Sequence, residues 1–213
     1  MDADEAADRG IPLPHSLPIM VLGGATLFPR GYMPLFIFEP RYRAMLSYAL
    51  ERDRMFCLGH VRAGTDPETS DDPVHHITTA GLVRACVTHP DGTSHLMLAG
   101  IRRVEILGWD QVAPFRVATV VARPCLLADR DGAAASALEL VDLCGRLCGK
   151  GQPISEQLRD HLRCVGDPCA VADIVGQSFV TDPEARQRLL EMDEIDERLN
   201  YLVTHLSSLI AGS

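Results

Sequence analysis

Apolar positions in the first two-thirds of the chain fall into short runs that are separated by turn-forming residues. The run at 17–22 ends at Gly23-Gly24, and the run at 34–38 follows a loop that contains Pro29 and Gly31. Such runs are typical of strands bounded by turns. The same pattern predicts further strands over 55–61, 77–89, 95–100, 103–107 and 115–123. Several short strands of this kind predict a compact, partly closed β-barrel.

The spacing of apolar residues changes to that of a helix at two places. After Glu39 the apolar residues follow one helical face as far as Leu50, and Pro40 suits a first helical turn. From about Asp131 onwards, helical spacing predicts helices over 133–148, 155–164, 168–179, 183–192 and 194–210. Two of these begin at an Asp-Pro pair, which is typical of an N-cap followed by a proline at the first helical position.

These patterns predict an α+β protein in which a β-rich domain with one interposed helix precedes a helical bundle. We expect an N-terminal tail over 1–16, the β-rich domain over 17–127 and the helical bundle over 128–213. The last helix carries the clearest apolar stripe, which consists of Ile195, Leu199, Leu202, Leu206 and Leu209.

The composition excludes several classes of protein. Of the 213 residues, 46% are hydrophobic and 23% are charged, as in an ordinary globular protein. No apolar run approaches the roughly 20 residues of a membrane span, and the acidic residues 1–10 do not resemble a signal peptide. We therefore expect a cytoplasmic protein without a membrane partner. The net charge of −9 disfavours nucleic acid as a partner, since nucleic-acid binding needs a basic surface.

The seven cysteines are irregularly spaced, which favours reduced thiols over a disulfide framework. Four of them could hold zinc as thiolates: Cys144, Cys148, Cys164 and Cys169. Their spacings fit no standard zinc motif, and the first two also lie on the apolar face of their predicted helix. We therefore expect core packing for these cysteines and no cofactor, with a metalloprotein as a minor alternative.

A search for catalytic motifs finds none. The glycines from Gly145 to Gly151 do not have the spacing of a P-loop, and no G-x-S-x-G sequence occurs. The only lysine, Lys150, lies in a Gly-rich helix end, which is no recognisable setting for a Ser–Lys dyad. The sequence therefore predicts a protein that is not an enzyme.

The candidate binding residues lie in the loop before the second predicted strand: Phe28, Arg30, Tyr32 and Met33. A loop that carries aromatic and apolar side chains is a candidate for an exposed contact site. Phe36 and Phe38 alternate along the following strand, so they share one face, and we expect that face to be core.

Several stretches of the sequence closely resemble the N-terminal substrate-binding domain of Lon proteases. The resemblance rests on LPIMVLG at 17–23, LFP at 27–29 and PLFIFEPRYRAM at 34–45, of which FEPRYR is the most specific part. It continues at 80–84, 98–104 and 114–118 and into the helical half, so that it covers nearly the whole chain. Two positions depart from the family pattern, since glycine is common where Arg30 stands and histidine is common where Phe36 stands.

The resemblance implies a PUA-like β-barrel followed by a small helical bundle. It also implies a non-catalytic module that binds unfolded or exposed polypeptide segments, with a protease or chaperone as a further partner. The ATPase and protease domains of the family have no counterpart here, so the chain resembles the stand-alone form of the domain. Nothing in the sequence defines its oligomeric state.

The family motif also has a structural interpretation, which we favour. It comprises Phe38, Glu39, Pro40, Arg41 and Tyr42. A carboxylate, a guanidinium and a phenol at a strand-to-helix junction can fix that junction by hydrogen bonds.

RNA binding is the alternative function, because PUA-like folds also include RNA-binding modules. A local patch of arginines could overcome the acidic net charge, and the candidates are Arg41, Arg43, Arg102 and Arg103.

Overall fold

The computed structural model describes residues 11–67, 69–147 and 153–212, with side chains omitted for 153–156. The chain divides into two compact units, Met1–Arg123 and Pro124–Ser213, here called the β-rich unit and the helical unit. The boundary lies slightly before the one expected after residue 127. None of the helices in the described part of the chain is long and apolar enough to cross a membrane.

Among the described residues of the β-rich unit, six strands and one helix are formed: β1 (Ser16–Leu22), β2 (Tyr32–Ile37), α1 (Pro40–Leu50), β3 (Met55–His60), β4 (Ile77–Thr88), β5 (Ser94–Gln111) and β6 (Arg116–Ala122). The structure differs from the expected pattern in β5, which is one strand where two were predicted. The two predicted strands leave a gap at Ile101 and Arg102, but Ile101 is only 8% exposed and the strand continues through both residues. A register shift against β4 between Ala80 and Gly81 accommodates this stretch.

The strands form a mixed sheet in the order β2-β5-β4-β3-β1-β6, and β6 pairs a second time, with β5. This second pairing closes all the strands except β2 into a ring. β1 and β3 run parallel, whereas the other neighbours run antiparallel. β2 stands outside the ring and pairs with β5 alone among the described strands. It is therefore an edge strand.

Two clusters of buried side chains from the described residues lie in the interior of the β-rich unit. One packs α1, through residues such as Tyr42 and Met45, against strand residues such as Phe56 and Leu98. The other joins side chains from the strands themselves, including Ile19. Cys57 lies in this second cluster, where complete burial raises the pKa of its thiol and makes it a small hydrophobic side chain.

The part of the helical unit that the structure describes forms five helices: α2 (Arg130–Leu147), α3 (Pro153–Val165), α4 (Pro168–Phe179), α5 (Pro183–Glu191) and α6 (Ile195–Ala211). The predicted caps of α4 and α5 are confirmed. Asp167 accepts a hydrogen bond from the backbone N–H of Cys169 at 3.1 Å, and Asp182 accepts one from Ala185 at 2.7 Å. The apolar stripe of α6 is buried as far as Leu206, but Leu209 near the helix end is 41% exposed.

Candidate functional site

The loop before β2 is held tightly against β5, and this placement corrects one of the candidate residues. Phe28 is completely buried, so its ring is not available for binding a ligand. Gly31 donates its N–H to the carbonyl of Phe28 at 3.0 Å, and Gly100 exchanges hydrogen bonds with Arg30 and Gly31 at 2.7 and 2.8 Å. The sequence does not reveal this, because an aromatic residue in a loop can face either solvent or core.

Arg30 adopts a left-handed backbone conformation in this turn. Its φ of 62° lies in the left-handed region, which favours glycine and is uncommon for other residues. This explains why glycine suits the position that Arg30 takes here. The side chain is half-buried beside the start of β2.

The two faces of β2 differ sharply in burial. Met33 and Leu35 are half-buried and pack against the core around α1, and Ile37 is part of that core. Tyr32 and Phe36 project from the other face, with exposures of 55% and 47%. Met33, which was expected to lie in an exposed site, is therefore half-buried against the core, whereas Tyr32 is exposed.

The expectation that Phe36 and Phe38 form core is wrong. Phe38 follows β2 and is 58% exposed, and its ring stacks on that of Phe36 with the centroids 5.8 Å apart. The ring of Phe36 also stacks on His95 of β5, at 4.6 Å. His95 in turn pairs across the sheet with Val87 of β4, which is 62% exposed. Phe36, Phe38, Val87 and His95 adjoin one another, and Tyr32 lies four residues before Phe36 on the same face of β2. These five exposed residues are here called the aromatic face: Tyr32, Phe36, Phe38, Val87 and His95.

A second histidine adjoins the aromatic face and orients one of its rings. His89 and His95 share a hydrogen bond of 2.8 Å between Nε2 and Nδ1, and their rings meet edge to face. The sheet fixes Phe36 opposite His95 through the register of β2 and β5. The aromatic face is thus built on paired strands, and it can offer apolar and aromatic contacts to a ligand without a rearrangement of the fold.

The strand-to-helix junction after β2 is fixed by polar contacts. Arg41 forms an ion pair with Glu39 at 2.9 Å, and its guanidinium lies 4.7 Å from the centre of the Tyr42 ring. The hydroxyl of Tyr42 donates to the carbonyl of Val21 in β1 at 2.8 Å. Burial raises the pKa of Tyr42, so the hydroxyl keeps its proton for this hydrogen bond. Pro40 occupies the first helical position. Within this motif, Phe38 alone belongs to the aromatic face.

The arginines considered for RNA binding do not form one exposed basic patch. Arg103 is buried within β5, and Arg41 is neutralised by Glu39. Arg43 is exposed and Arg102 is half-buried, so two of the four arginines keep some exposure, which is fewer than an extended basic surface requires.

The structure also corrects the expectation of reduced thiols and the zinc hypothesis. Cys169 forms a disulfide with Cys125, across a sequence separation of 44 residues that carries no pairing signal. A disulfide sulfur is not a thiolate ligand, so the proposed four-cysteine site does not assemble. Cys144 lies on the buried side of α2, and Cys164 is exposed. Cys148 lies outside the described residues.

Sequence reasoning missed a buried ion pair in the helical unit. Arg198 of α6 is completely buried, and its Nη1 lies 2.9 Å from Oδ1 of Asp173 in α4. Arg198 also donates a hydrogen bond from Nη2 to Sγ of Cys125. The only available signal was that Arg198 directly precedes Leu199 of the apolar stripe, and a charged residue beside such a stripe usually faces solvent.

The α+β fold, with its mixed sheet and helical unit, defines a class of architecture rather than one particular protein. The family model for the ATP-dependent protease La (LON) substrate-binding domain matches residues 16–208. The chain belongs to this family.

Curated relatives and solved structures agree with this assignment. Lon protease 2 of Herpetosiphon aurantiacus is 27% identical over 197 residues, which cover 90% of this chain and 23% of that protein. Lon protease of Xanthomonas oryzae pv. oryzae is 28% identical over 193 residues, which cover 88% of this chain and 22% of that protein. The chain thus spans about a quarter of the length of these relatives.

Two solved structures share the fold. The N-terminal domain of a Mycobacterium avium complex Lon protease superposes with a TM-score of 0.72 at 18% identity, covering 90% of this chain and 98% of that one. A Lon N-terminal domain protein from Xanthomonas campestris superposes with a TM-score of 0.61 at 17% identity, covering 89% and 97%.

Proposed function

We propose that this chain binds extended, apolar segments of unfolded polypeptides on the aromatic face and does not cleave them. The observation that supports this most directly is the exposure of three aromatic side chains in and directly after β2, Tyr32, Phe36 and Phe38, at 55%, 47% and 58%. Monomeric proteins rarely expose a contiguous apolar surface without a binding role. The family's description as a substrate-binding domain agrees with this role.

The chemistry of the aromatic face suits a ligand of variable sequence. Aromatic rings contribute large contact areas, and their favourable contacts do not depend on the identity of the apolar residue that they meet. The row from Phe36 through His95 to Val87 crosses three strands, so a bound segment can contact several of these side chains at once.

The position of β2 supports an extended rather than a helical ligand. An edge strand presents backbone N–H and C=O groups along its outer side, and an extended segment can pair with them. Pro34 lies in the middle of β2 and has no N–H to donate. We therefore expect side-chain contacts with the rings to supply most of the affinity. We also propose that a protease or a chaperone receives the bound segment.

Replacing the three aromatic residues by serine tests this proposal. The variant Tyr32→Ser/Phe36→Ser/Phe38→Ser should bind fluorescently labelled unfolded casein at least about tenfold more weakly than the parent, because hot-spot aromatic residues each contribute on the order of 2 kcal/mol. Fluorescence anisotropy gives the Kd, and circular dichroism verifies that the variant is folded.

The matched control removes equally exposed apolar side chains elsewhere. Leu107, Val112 and Leu138 are 61%, 61% and 62% exposed and lie outside the aromatic face. The variant Leu107→Ser/Val112→Ser/Leu138→Ser should bind casein as the parent does. Equal losses in both triple variants, or no loss in the aromatic variant, would show that the aromatic face is not the binding site.

The absence of catalysis is tested separately. Purified protein should neither hydrolyse ATP nor cleave unfolded casein, with or without nucleotide, because the sequence has neither a P-loop nor a recognisable activated nucleophile. Phosphate release and gel electrophoresis are the measurements. ATP-stimulated cleavage that is abolished by Lys150→Ala would overturn this part of the proposal.

A further inference from the structure

The disulfide in the helical unit joins two segments of different kinds. Cys125 lies in the extended segment before α2, and Cys169 lies in the first turn of α4, with their Cα atoms 6.6 Å apart. The segment around Cys125 is also attached to the start of α6. Leu126 donates its N–H to Asp193 and accepts one from Ile195, both at 3.0 Å. Both half-cystines are only partly buried, so neither residue is enclosed in the core.

A charged donor lies directly against one of the two sulfur atoms. Arg198 is completely buried, and its guanidinium bridges Asp173, at 2.9 Å, and Sγ of Cys125. A neutral disulfide sulfur is a weak acceptor, so it draws little benefit from this donor. A thiolate at the same position would accept a charge-assisted hydrogen bond from the guanidinium, and a nearby cation lowers the pKa of a thiol.

The other sulfur belongs to a helix N-terminus. Cys169 follows the N-cap Asp167 and Pro168 in α4, where the helix dipole favours a negative charge. Asp167 opposes this effect, since its carboxylate accepts the N–H of Cys169. Asp173 likewise offsets part of the charge of Arg198. The direct contact with Arg198 therefore distinguishes the two sulfurs, and it favours Cys125 as the one that carries negative charge.

We propose that Cys125 and Cys169 form a thiol–disulfide exchange site for low-molecular-weight thiols and disulfides, in which Arg198 is a positioning residue that stabilises the thiolate of Cys125. This inference is independent of polypeptide binding by the aromatic face. In this proposal, the segment around Cys125 at the start of the helical unit is reversibly released from α4 when the disulfide is reduced.

The exchange proceeds in two balanced steps. A low-molecular-weight thiolate attacks Sγ of Cys169, the bond between the two protein sulfurs breaks, and Cys125 leaves as a thiolate beside Arg198. A second thiolate then attacks the outer sulfur of the mixed disulfide, which releases Cys169 as a thiolate and forms the low-molecular-weight disulfide. Two electrons pass from the two small thiols to the protein, and the reverse sequence oxidises it again. Because a leaving thiolate of lower pKa leaves faster, Arg198 directs the attack to Cys169.

Equilibration of the intact chain with mixtures of reduced and oxidised glutathione tests the exchange. Thiols are trapped with a maleimide, and the modified peptides are identified by mass spectrometry. We expect Cys125 and Cys169 to become modified together as the proportion of reduced glutathione rises, and to be protected again on reoxidation. If Cys125 and Cys169 still react with the maleimide in oxidised glutathione alone, the proposal is overturned. A disulfide that glutathione does not reduce without denaturant would also overturn it, since the bond would then be only structural.

The role of Arg198 is tested by the pH dependence of alkylation in the Cys169→Ser variant. We expect the iodoacetamide reactivity of Cys125 to reach half its maximum at a lower pH than that of the exposed Cys164, which serves as the internal reference. The variant Cys169→Ser/Arg198→Lys should retain most of this difference, and Cys169→Ser/Arg198→Met should lose it. If Cys125 reaches half its maximal reactivity at the same pH as Cys164 or at a higher pH, Arg198 does not stabilise the thiolate of Cys125. This outcome is decisive even if the Arg198 variants do not fold.

Discussion

Replacement of Asp173 by alanine is expected to lower the free energy of unfolding by about 3–5 kcal/mol, because it leaves the charge of a buried guanidinium without its carboxylate. Arg198 is completely buried, and its 2.9 Å ion pair with Asp173 compensates the loss of hydration. Alanine cannot supply that compensation, and water has little access to the site. Urea denaturation followed by far-ultraviolet circular dichroism measures the change.

Two control variants make this result specific. Asp142 forms an ion pair with Arg163 at 3.2 Å, but both side chains are more than half exposed. Asp142→Ala should therefore cost less than about 1 kcal/mol, as is usual for surface pairs. The double variant Asp173→Leu/Arg198→Met should recover much of the loss, because no unpaired charge remains buried. If Asp173→Ala and Asp142→Ala lowered the free energy of unfolding equally, the burial of Arg198 would not require its ion pair with Asp173.

Replacement of Gly100 by alanine should destabilise the β-rich unit by about 3 kcal/mol and also weaken polypeptide binding. A Cβ atom at this position would overlap the carbonyl oxygen of Phe28, which is backbone and cannot move aside as a side chain can. The overlap would displace the turn that Gly100 holds through Arg30 and Gly31. Because β2 begins directly after this turn, the aromatic face would shift with it.

Gly108 provides the matched control on the same strand. A Cβ atom at Gly108 would meet no other atom within 4 Å, so Gly108→Ala should leave both stability and casein binding close to those of the parent. Thermal unfolding and fluorescence anisotropy of the two variants give the comparison. If Gly100→Ala were as stable as Gly108→Ala, the close approach of the turn to β5 would not be a constraint on the fold.

The elements of the fold could be predicted well from the sequence because their signals are local. The Asp-Pro caps mark the starts of α4 and α5, and Pro40 marks the start of α1. The break predicted at Ile101 and Arg102 is absent for a tertiary reason, since pairing with β4 and the burial of Ile101 depend on residues that are distant in sequence. The pairing of Cys125 with Cys169 is equally non-local, because only the packing of the helical unit brings the two together.

The candidate site could be predicted only in part, and β2 shows why. Alternation along a strand determines which residues share a face, but it does not determine which of two apolar faces lies inside. In β2 both sets are apolar, and the fold buries Ile37 with Met33 and leaves Tyr32 and Phe36 outside. Tyr32 was therefore identified for its loop position, whereas Phe36 and Phe38 were assigned to the core.

The closure of the sheet has a consequence for how the chain folds during its synthesis. β1 pairs with β3 on one side and with β6 on the other, and Ser16 is opposite Thr119 in the second pairing. Contacts between residues so distant in sequence form slowly, because a long loop must close before they contribute any stability. One edge of β1 remains unpaired until the ribosome has released β6. The β-rich unit is therefore expected to complete its folding in one late step, when its first strand meets its last.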